Sequence, residues 1–344
     1  MGDDLIISLR GFDDVVDAAY ARLFPADSVR TPAELNWRFR ENPHGPAKFV
    51  IAQSGDDVAG MIALVPTRLV GSCGNRLGYQ AIDTAVNPDW RGRGLFVKMG
   101  RAAQKPDALG GEILWGFPNA NAAPGWFGRL GWENYGPVPL LIKPLRSSFV
   151  LRRIHPGLRG VNINLVRRGK PANSIASGKR LFDAYDPLWQ KVASGVRLAV
   201  DRDAEWMRWR LVRKPEEQYR LVGQHSSSGE LVTFVATKLV EKHGSRLCYV
   251  MEAMALPDDS PRLARLIRHE TAHAAQEGAE AALAWCPRAS PNYPAYRKAG
   301  FFPFPPRFRP IEVYFGARAL KESAADAASA AGRWHLSFLD SDTN

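Results

Sequence analysis

Arg91-Gly92-Arg93-Gly94 has the residue types and spacing best suited to chemistry in this 344-residue chain. It follows a β-prone run, Tyr79 onward, that ends in Val86-Asn87-Pro88, and it opens a helix expected over Leu95 to Gln104. A strand leading through a glycine turn into a helix N-terminus leaves backbone N–H groups without helical partners. The helix dipole adds partial positive charge at the same end, so the arrangement suits a phosphate. Glycine lets a ligand approach the backbone closely, and the flanking arginines add charge-assisted donors.

A second motif competes with it. His269-Glu270-Thr271-Ala272-His273 is a literal HExxH on an expected helix, with both histidines on one face at the spacing a zinc hydrolase uses. Glu277 and Glu280 are candidates for a third ligand, but none is evident, and no metal site is assigned.

Two sets of elements must position these residues. In the first half, a strand near Leu5 to Ser8 precedes a helix from Asp13 to Leu23. Thr31-Pro32-Ala33-Glu34 reads as a capping box that starts a helix carrying Trp37 and Arg38. Strands at Phe49 to Gln53 and Val58 to Pro66 flank a Gly55-Asp56-Asp57 turn, a hairpin signal. The glycine loop and its helix come next. A strand Glu112 to Phe117 follows, then Pro118 to Trp132 as loop, short helix and glycine turn, and Val138 to Lys143 is expected to close the half.

The second half repeats this order. Trp37-Arg38 with Pro43 is matched by Trp209-Arg210 with Pro215 at the same spacing. Tyr249 to Pro257 matches Gln80 to Pro88, which places Glu252 opposite Asp83 and the HExxH helix opposite Leu95 to Gln104. Trp285 stands where the first half has Trp115, and Tyr296 to Phe301 matches Phe127 to Trp132. Agreement at several separate elements points to a tandem duplication of one α/β unit. The expected division is residues 1–145, a connector 146–180, a second domain 181–316, and a C-terminal helix and tail 317–344. Within that last stretch, Ala317 to Ala331 reads as helix and Trp334 to Leu339 as strand.

Composition is that of a soluble globular protein, with 45% hydrophobic and 24% charged residues. No apolar run reaches bilayer length, the N-terminus lacks a signal peptide's pattern, and Ile6 breaks a myristoylation reading at Gly2. Cys73, Cys248 and Cys286 are scattered, which suits a reducing cytoplasm. Much of the net charge of +11 lies between Pro144 and Arg180, which hold nine Lys/Arg and no Asp/Glu. Such a stretch suits a solvated connector or an anionic partner; it lacks the aromatic interleaving that single-stranded nucleic acid binding uses.

These residues resemble the GNAT (Gcn5-related N-acetyltransferase) family. The resemblance rests on Val86-Asn87-Pro88, the Arg91 to Gly94 loop, and the turn from Phe127 to Trp132. Phe117-Pro118-Asn119, Leu130-Gly131-Trp132 and the closing Trp334 to Asp342 are similar to GNAT proteins found with bacterial polysaccharide biosynthesis genes. The resemblance implies a mixed α/β (α+β) fold of two tandem GNAT-like domains. It also implies acetyl-CoA as acyl donor and a primary amine on a small acceptor such as an amino sugar or sugar nucleotide; the chain's positive charge would suit an anionic one.

The resemblance also assigns residues. Val86, Arg91, Gly92, Arg93, Gly94 and Leu95 would hold the pyrophosphate side of acetyl-CoA, with Asn119 and Asn121 toward pantetheine and the Ala85 or Val86 backbone toward the thioester carbonyl. Asp83 is the carboxylate best placed as general base, with Glu252 as its counterpart. The family's general-acid tyrosine position is Phe127 in the first half and Tyr296 in the second, which leaves Tyr135 or water as proton source in the first. Asp89 replaces the usual first loop residue. The second loop, Pro257 to Arg262, has no glycine, two acids and two prolines, and it repels phosphate, so one acetyl-CoA is expected. Asp340-Ser341-Asp342 could supply a further carboxylate, with a disordered tail as the plainer expectation. Alternatives are an acyl-CoA-binding module without turnover, an aminoacyl- or other acyltransferase on the same tandem fold, and, behind these, a zinc hydrolase through the HExxH at 269–273.

Overall fold

The computed structural model describes residues 5–24, 30–105, 109–154, 162–166, 175–309, 312–329 and 334–341. Gly2, much of the basic connector and Asp342 lie outside the described residues. The chain divides into two compact units. The first comprises Met1–Pro137, Arg213–Glu216 and Ile311–Ala331; the second comprises Val138–Val212, Glu217–Pro310 and Gly332–Asn344.

In the first unit β1 (Ile6–Arg10), β2 (Lys48–Ser54), β3 (Asp57–Val70) and β4 (Arg76–Val86) form an antiparallel run. β5 (Ile113–Gly116) joins β4 in parallel. The strand Tyr314–Ala319 follows, and β6 (Glu133–Pro137) closes the edge. Helices α1 (Asp14–Leu23) and α2 (Pro32–Phe39) cover one face, and α3 (Leu95–Ala103) covers the other.

Alternation along β3 explains the two-sided cover. Met61, Ala63 and Val65 meet Tyr20, Leu35 and Phe39, while Ile62 and Leu64 meet Leu95 and Met99. A strand buried on both faces reads as a continuous apolar run, as Val58 to Pro66 does. Asp13 caps α1 by accepting from Val16 N, and Thr31 Oγ1 accepts from Glu34 N. The reciprocal half of the expected capping box is replaced: Glu34 instead accepts from Arg38 Nη2 at 2.7 Å.

The second unit repeats the plan. Its sheet runs Phe302–Pro303, Leu140–Pro144, Ala281–Trp285, Ser245–Ala255, Leu231–Lys242, Arg220–His225 and Ile175–Ser177. The helix Ser260–Gln276 packs against it through Leu263, Leu266 and Ile267.

Two expectations are corrected. The strand Leu140–Pro144 does not close the first half: it pairs with Ala281–Trp285 in the second sheet. The corresponding slot in the first sheet, between β5 and β6, is filled by Tyr314–Ala319, which was expected to begin a helix or lie at a domain end. Each copy's closing strand is thus built into the other copy's sheet, so divisions at 145 and 316 do not follow the sheets. Local β propensity makes a strand but does not choose its partner, and two copies offer equivalent slots. The Ala-rich helix is reduced to Ala325–Ala328, and the expected strand at Trp334 to Leu339 is an irregular segment ending in a helical turn, Phe338–Asp340.

Candidate active site

The glycine loop is held from below. Asn87 caps the turn Pro88–Trp90, accepting at Oδ1 from Asp89 N. Trp90 is buried and donates from Nε1 to Asp57 Oδ2 at 2.9 Å, and the Arg93 guanidinium lies 4.7 Å from the Trp90 ring centre. Gly92 and Gly94 have φ of +78° and +70°, and a Cβ at either would meet nothing within 4 Å. Backbone conformation, not packing, therefore demands glycine here, and the space beside the backbone is open. Gly94 caps α3 with no side-chain hydrogen bond; Val97 N donates to Gly94 O, and the N–H groups of Leu95 and Phe96 start the helix without a side-chain cap. Arg91, Gly92, Arg93 and Gly94 are exposed, and the Leu95 side chain is buried beneath them.

Beside the loop the sheet opens. The β4–β5 register ends at Gln80↔Trp115, whereas β4 runs on to Val86. Residues 81–86 therefore present an edge that β5 does not pair, a template for an extended ligand chain. Gly116 ends β5 where a Cβ would sit 2.9 Å from Ala81 O, so glycine lets the strands stay closed up to the point of divergence. The thioester-polarising backbone expected at Ala85 and Val86 belongs to this stretch, which pairs with β3 on its other side.

Asp83 sits at a bulge in β4, where the pairing with β3 shifts between Met61 and Ala63, and its φ of +44° is left-handed. Its side chain is only 1% exposed. Tyr20 Oη donates to Oδ2 at 2.8 Å, and Arg30 donates to Oδ1 from both Nε and Nη2. The expected base is thus a buried carboxylate fixed by a phenol and a guanidinium. Burial, then Asp83, push the Tyr20 phenol pKa up.

The remaining expected residues are dispersed. Asn119 Oδ1 accepts from Asn121 N and Ala122 N, which makes it a turn-former, and Asn121 is exposed. Phe127 packs edge-on to Tyr314. Tyr135 carries a buried hydroxyl with no hydrogen bond among the described residues, beside Phe315, and burial raises its pKa. Tyr296 lies in the core of the second unit, stacked edge-on against Phe301, with its pKa raised well above the ordinary value by burial. The structure therefore brings Val86, Arg91 to Leu95 and Asp83 into the first unit's strand–loop–helix region, whereas Glu252 and Tyr296 belong to the second unit.

The second unit's counterpart is closed by its own chain. Asp258 is left-handed, and Pro261 enters the first turn of the helix. The Asp259 carboxylate, paired with Arg262 at 3.0 Å, stands at the helix N-terminus. The parallel register ends at Val250↔Ala284, but here Asn292 Nδ2 donates to Ala253 O at 2.6 Å. Phe338 stacks on Tyr249, with ring centres 4.7 Å apart, and meets Trp285 at 5.0 Å.

Glu252, at a bulge equivalent to that of Asp83, is buried with Arg202, Ser337 and His335 around it. Burial alone would raise its pKa; Arg202, His335 and the Ser337 hydroxyl outweigh that and hold it down at about 2. Arg202 Nη2 also binds Asp340 at 2.7 Å, so the described segment from Trp334 to Ser341 is packed, where a disordered tail is the plainer expectation.

In the HExxH segment, Glu270 is buried and accepts from Arg220 Nε at 2.7 Å and meets His269 Nδ1 at 2.9 Å, while His273 pairs with Glu277. Among the described residues, no three His, Cys, Asp or Glu side chains are grouped to hold a metal ion.

Arg30 and Arg202 were missed from the sequence, although a signal is present. Each precedes the N-cap of its helix, Thr31 or Asp203, and each stands seven residues before the Trp-Arg pair.

Together the sheet topology, the bulged and diverging central strands, and the glycine turn into α3 define a GNAT-like acyltransferase fold, present twice in the manner of N-myristoyltransferase. Among solved structures the chain is similar to Saccharomyces cerevisiae N-myristoyltransferase with bound myristoyl-CoA, with a TM-score of 0.61 and 11% identity over 92% of this chain and 83% of that one. It is also similar to a Gcn5-related N-acetyltransferase from Anabaena variabilis, with a TM-score of 0.64 and 10% identity over 92% and 73%. A probable N-acyltransferase from Enterococcus faecalis gives 0.59 and 11% identity over 93% and 74%. No family model and no curated protein sequence matches the chain. No described helix is long and apolar enough to cross a membrane.

Proposed function

We propose that this protein is an acyl-CoA-dependent N-acyltransferase whose donor site is in the first unit alone. The observation that carries the reading is the open glycine turn and uncapped helix start beside the unpaired edge of β4. The residues fit the donor. Gly92, Gly94 and Leu95 offer backbone N–H groups, and Arg91 and Arg93 offer guanidinium groups, to a pyrophosphate. The edge from Ala81 to Val86 offers amide donors and acceptors to an extended pantetheine chain, with the amide of Ala85 or Val86 toward the acyl carbonyl. Asn121 is available beside that path, whereas Asn119 uses its oxygen in the turn. The bound donor supplies an activated thioester; the protein supplies orientation and charge.

The fold of acetyl- and myristoyl-transferring proteins supports an acyl-CoA donor, and the family resemblance of the loop favours acetyl-CoA. The acceptor is a primary amine on a small anionic molecule, such as an amino sugar or sugar nucleotide, which the chain's positive charge suits. Asp83, locked to Arg30 and Tyr20, fits a positioning role that keeps the bulge open; general base catalysis by it would require release from both partners. With Phe127 unable to donate, water returns the proton to the leaving thiolate. Glu252 and Tyr296 act structurally in this reading.

Phe127 and the occupied Asp83 also favour a second reading, donor binding without turnover. Acyl-CoA-dependent thiol release with an amine panel decides between them: steady release is expected, and tight donor binding with no release from any amine would establish the second reading.

A further inference from the structure

The duplication lets one half report on the other. In each unit an arginine just ahead of an N-cap reaches the carboxylate at the bulge of the central strand: Arg30 to Asp83, and Arg202 to Glu252. The two guanidinium groups differ in what else they hold. Arg202 is 0% exposed and fully engaged, with Nε on Glu252, Nη1 on Val200 O and Nη2 on Asp340 Oδ2. Arg30 is 26% exposed and, among the described residues, binds one carboxylate only, through Nε and Nη2. The second carboxylate on Arg202 comes from the chain's own last segment, which also sets Phe338 against Tyr249 and Trp285 beside the diverging strands. That segment therefore places on Arg202 the kind of second carboxylate that an anionic ligand would place on Arg30.

We infer that Arg30 is the acceptor-recognition residue of the first unit, and that it binds a carboxylate on the amine acceptor as Arg202 binds Asp340. This rests on the reading of the first unit as an N-acyltransferase, whose acceptor it specifies. The chemistry follows from the pair. Asp83 offsets part of the Arg30 charge but occupies only Nε and Nη2, so a second anion gains a charge-assisted hydrogen bond from the remaining N–H groups of a partly exposed, pre-oriented guanidinium. Its ring contact with Phe24, 4.3 Å from guanidinium carbon to ring centre, further fixes the orientation. A neutral amide in place of the carboxylate accepts the same hydrogen bond with no ionic component, and it brings a donor to a group that only donates.

The test is direct binding, read separately from turnover. The full chain is titrated calorimetrically, with CoA present, with matched pairs of small amines bearing either a free carboxylate or its primary amide. The wild type is expected to bind carboxylates at least 10-fold more tightly. Because Arg30→Gln alone would strand the buried Asp83 carboxylate, the variant used is Arg30→Gln/Asp83→Asn, with its melting temperature and CoA affinity as controls. It is expected to bind the carboxylate and the amide of each pair equally, whatever change in CoA affinity the altered bulge brings. Equal affinity within each pair, binding of neither member, or a preference that survives the double variant overturns the inference. Loss of CoA binding in the wild type would instead overturn the donor reading, a result the CoA titration reports by itself.

Discussion

The helix starts at Gly94 and at Ser260 descend from one strand–turn–helix plan and carry opposite electrostatics. The first offers two left-handed glycines, two exposed arginines and a helix end without a side-chain cap. The second offers a left-handed Asp258, an Asp259 carboxylate at the helix start and a proline in the first turn. The rest of each unit agrees with its loop. Beside the first, residues 81–86 remain free of a β5 partner; beside the second, Asn292, Phe338 and Asp340 occupy the corresponding region. On the proposed function, a duplicated chain has kept one copy as a donor site and turned the other into a filled scaffold.

The largest effect that sharpens this contrast concerns the two arginines. Arg202→Met leaves two buried carboxylates without their shared cation and should cost about 3–5 kcal/mol by chemical denaturation. Arg30→Met, at a partly exposed pair, should cost about 1–2 kcal/mol. Equal losses would show that the second half is no more committed to its buried network than the first.

The Glu252 carboxyl gives that network a pH signature. Its folded pKa of about 2 lies below its ordinary 4.5, so its contribution is complete above the ordinary value and is lost as pH falls toward 2. That shift is worth up to about 3 kcal/mol. Glu252→Gln should flatten the acid limb of the stability profile between those pH values; an unchanged limb would assign acid sensitivity elsewhere.

Much of this contrast was legible in the sequence. The glycine loop, the acid-and-proline loop, the β2–β3 hairpin and the α1 and α2 caps are written in local residue chemistry, and the structure forms them where that chemistry points. The closing strands were not legible. Leu140 to Ile142 and Phe315 to Ala317 are equally able to fill either sheet, because strand pairing is decided by which neighbour is open and not by the strand's own residues. Arg30 and Arg202 were hidden for a related reason: their meaning lies in a pairing 50 or more positions away along the chain. The packed tail was half visible, since Trp334 and Phe338 pointed to burial while the closing acids pointed to solvent.

The loops themselves can be broken. Gly92→Val places a β-branched side chain at φ +78° and over the open backbone. Acyl-CoA affinity should fall about 10–100-fold, with stability reduced by no more than about 1–2 kcal/mol. A variant that binds normally would remove the donor from this loop. Swapping Gly92-Arg93-Gly94 into the second loop should not create a second site, because Asn292 and Phe338 still fill that half; a second equivalent of bound CoA would contradict this.

The smallest effect comes from the strand exchange. Lys143, carried into the second unit by Leu140–Pro144, is buried and donates to Thr271 Oγ1 at 2.8 Å. Burial, then Arg268, lower its pKa to about 8. Between that value and its ordinary 10.5, the unfolded chain holds a proton that the folded chain has lost, so this group makes stability rise with pH across that window. Lys143→Met should flatten the rise and stabilise the protein near neutral pH by about 1–2 kcal/mol. A lower melting temperature at pH 7 would show that the amine is needed for packing.

The central claim is one donor site per chain, in the first unit. It is tested most directly by calorimetric titration of the intact protein with acetyl-CoA, alongside Gly92→Val and a variant with Asp258 and Asp259 both changed to Asn. One equivalent bound by the wild type, lost in Gly92→Val and unchanged in the second-loop variant, is the predicted result. Two equivalents, or binding that survives Gly92→Val and falls with the second-loop change, would contradict the account.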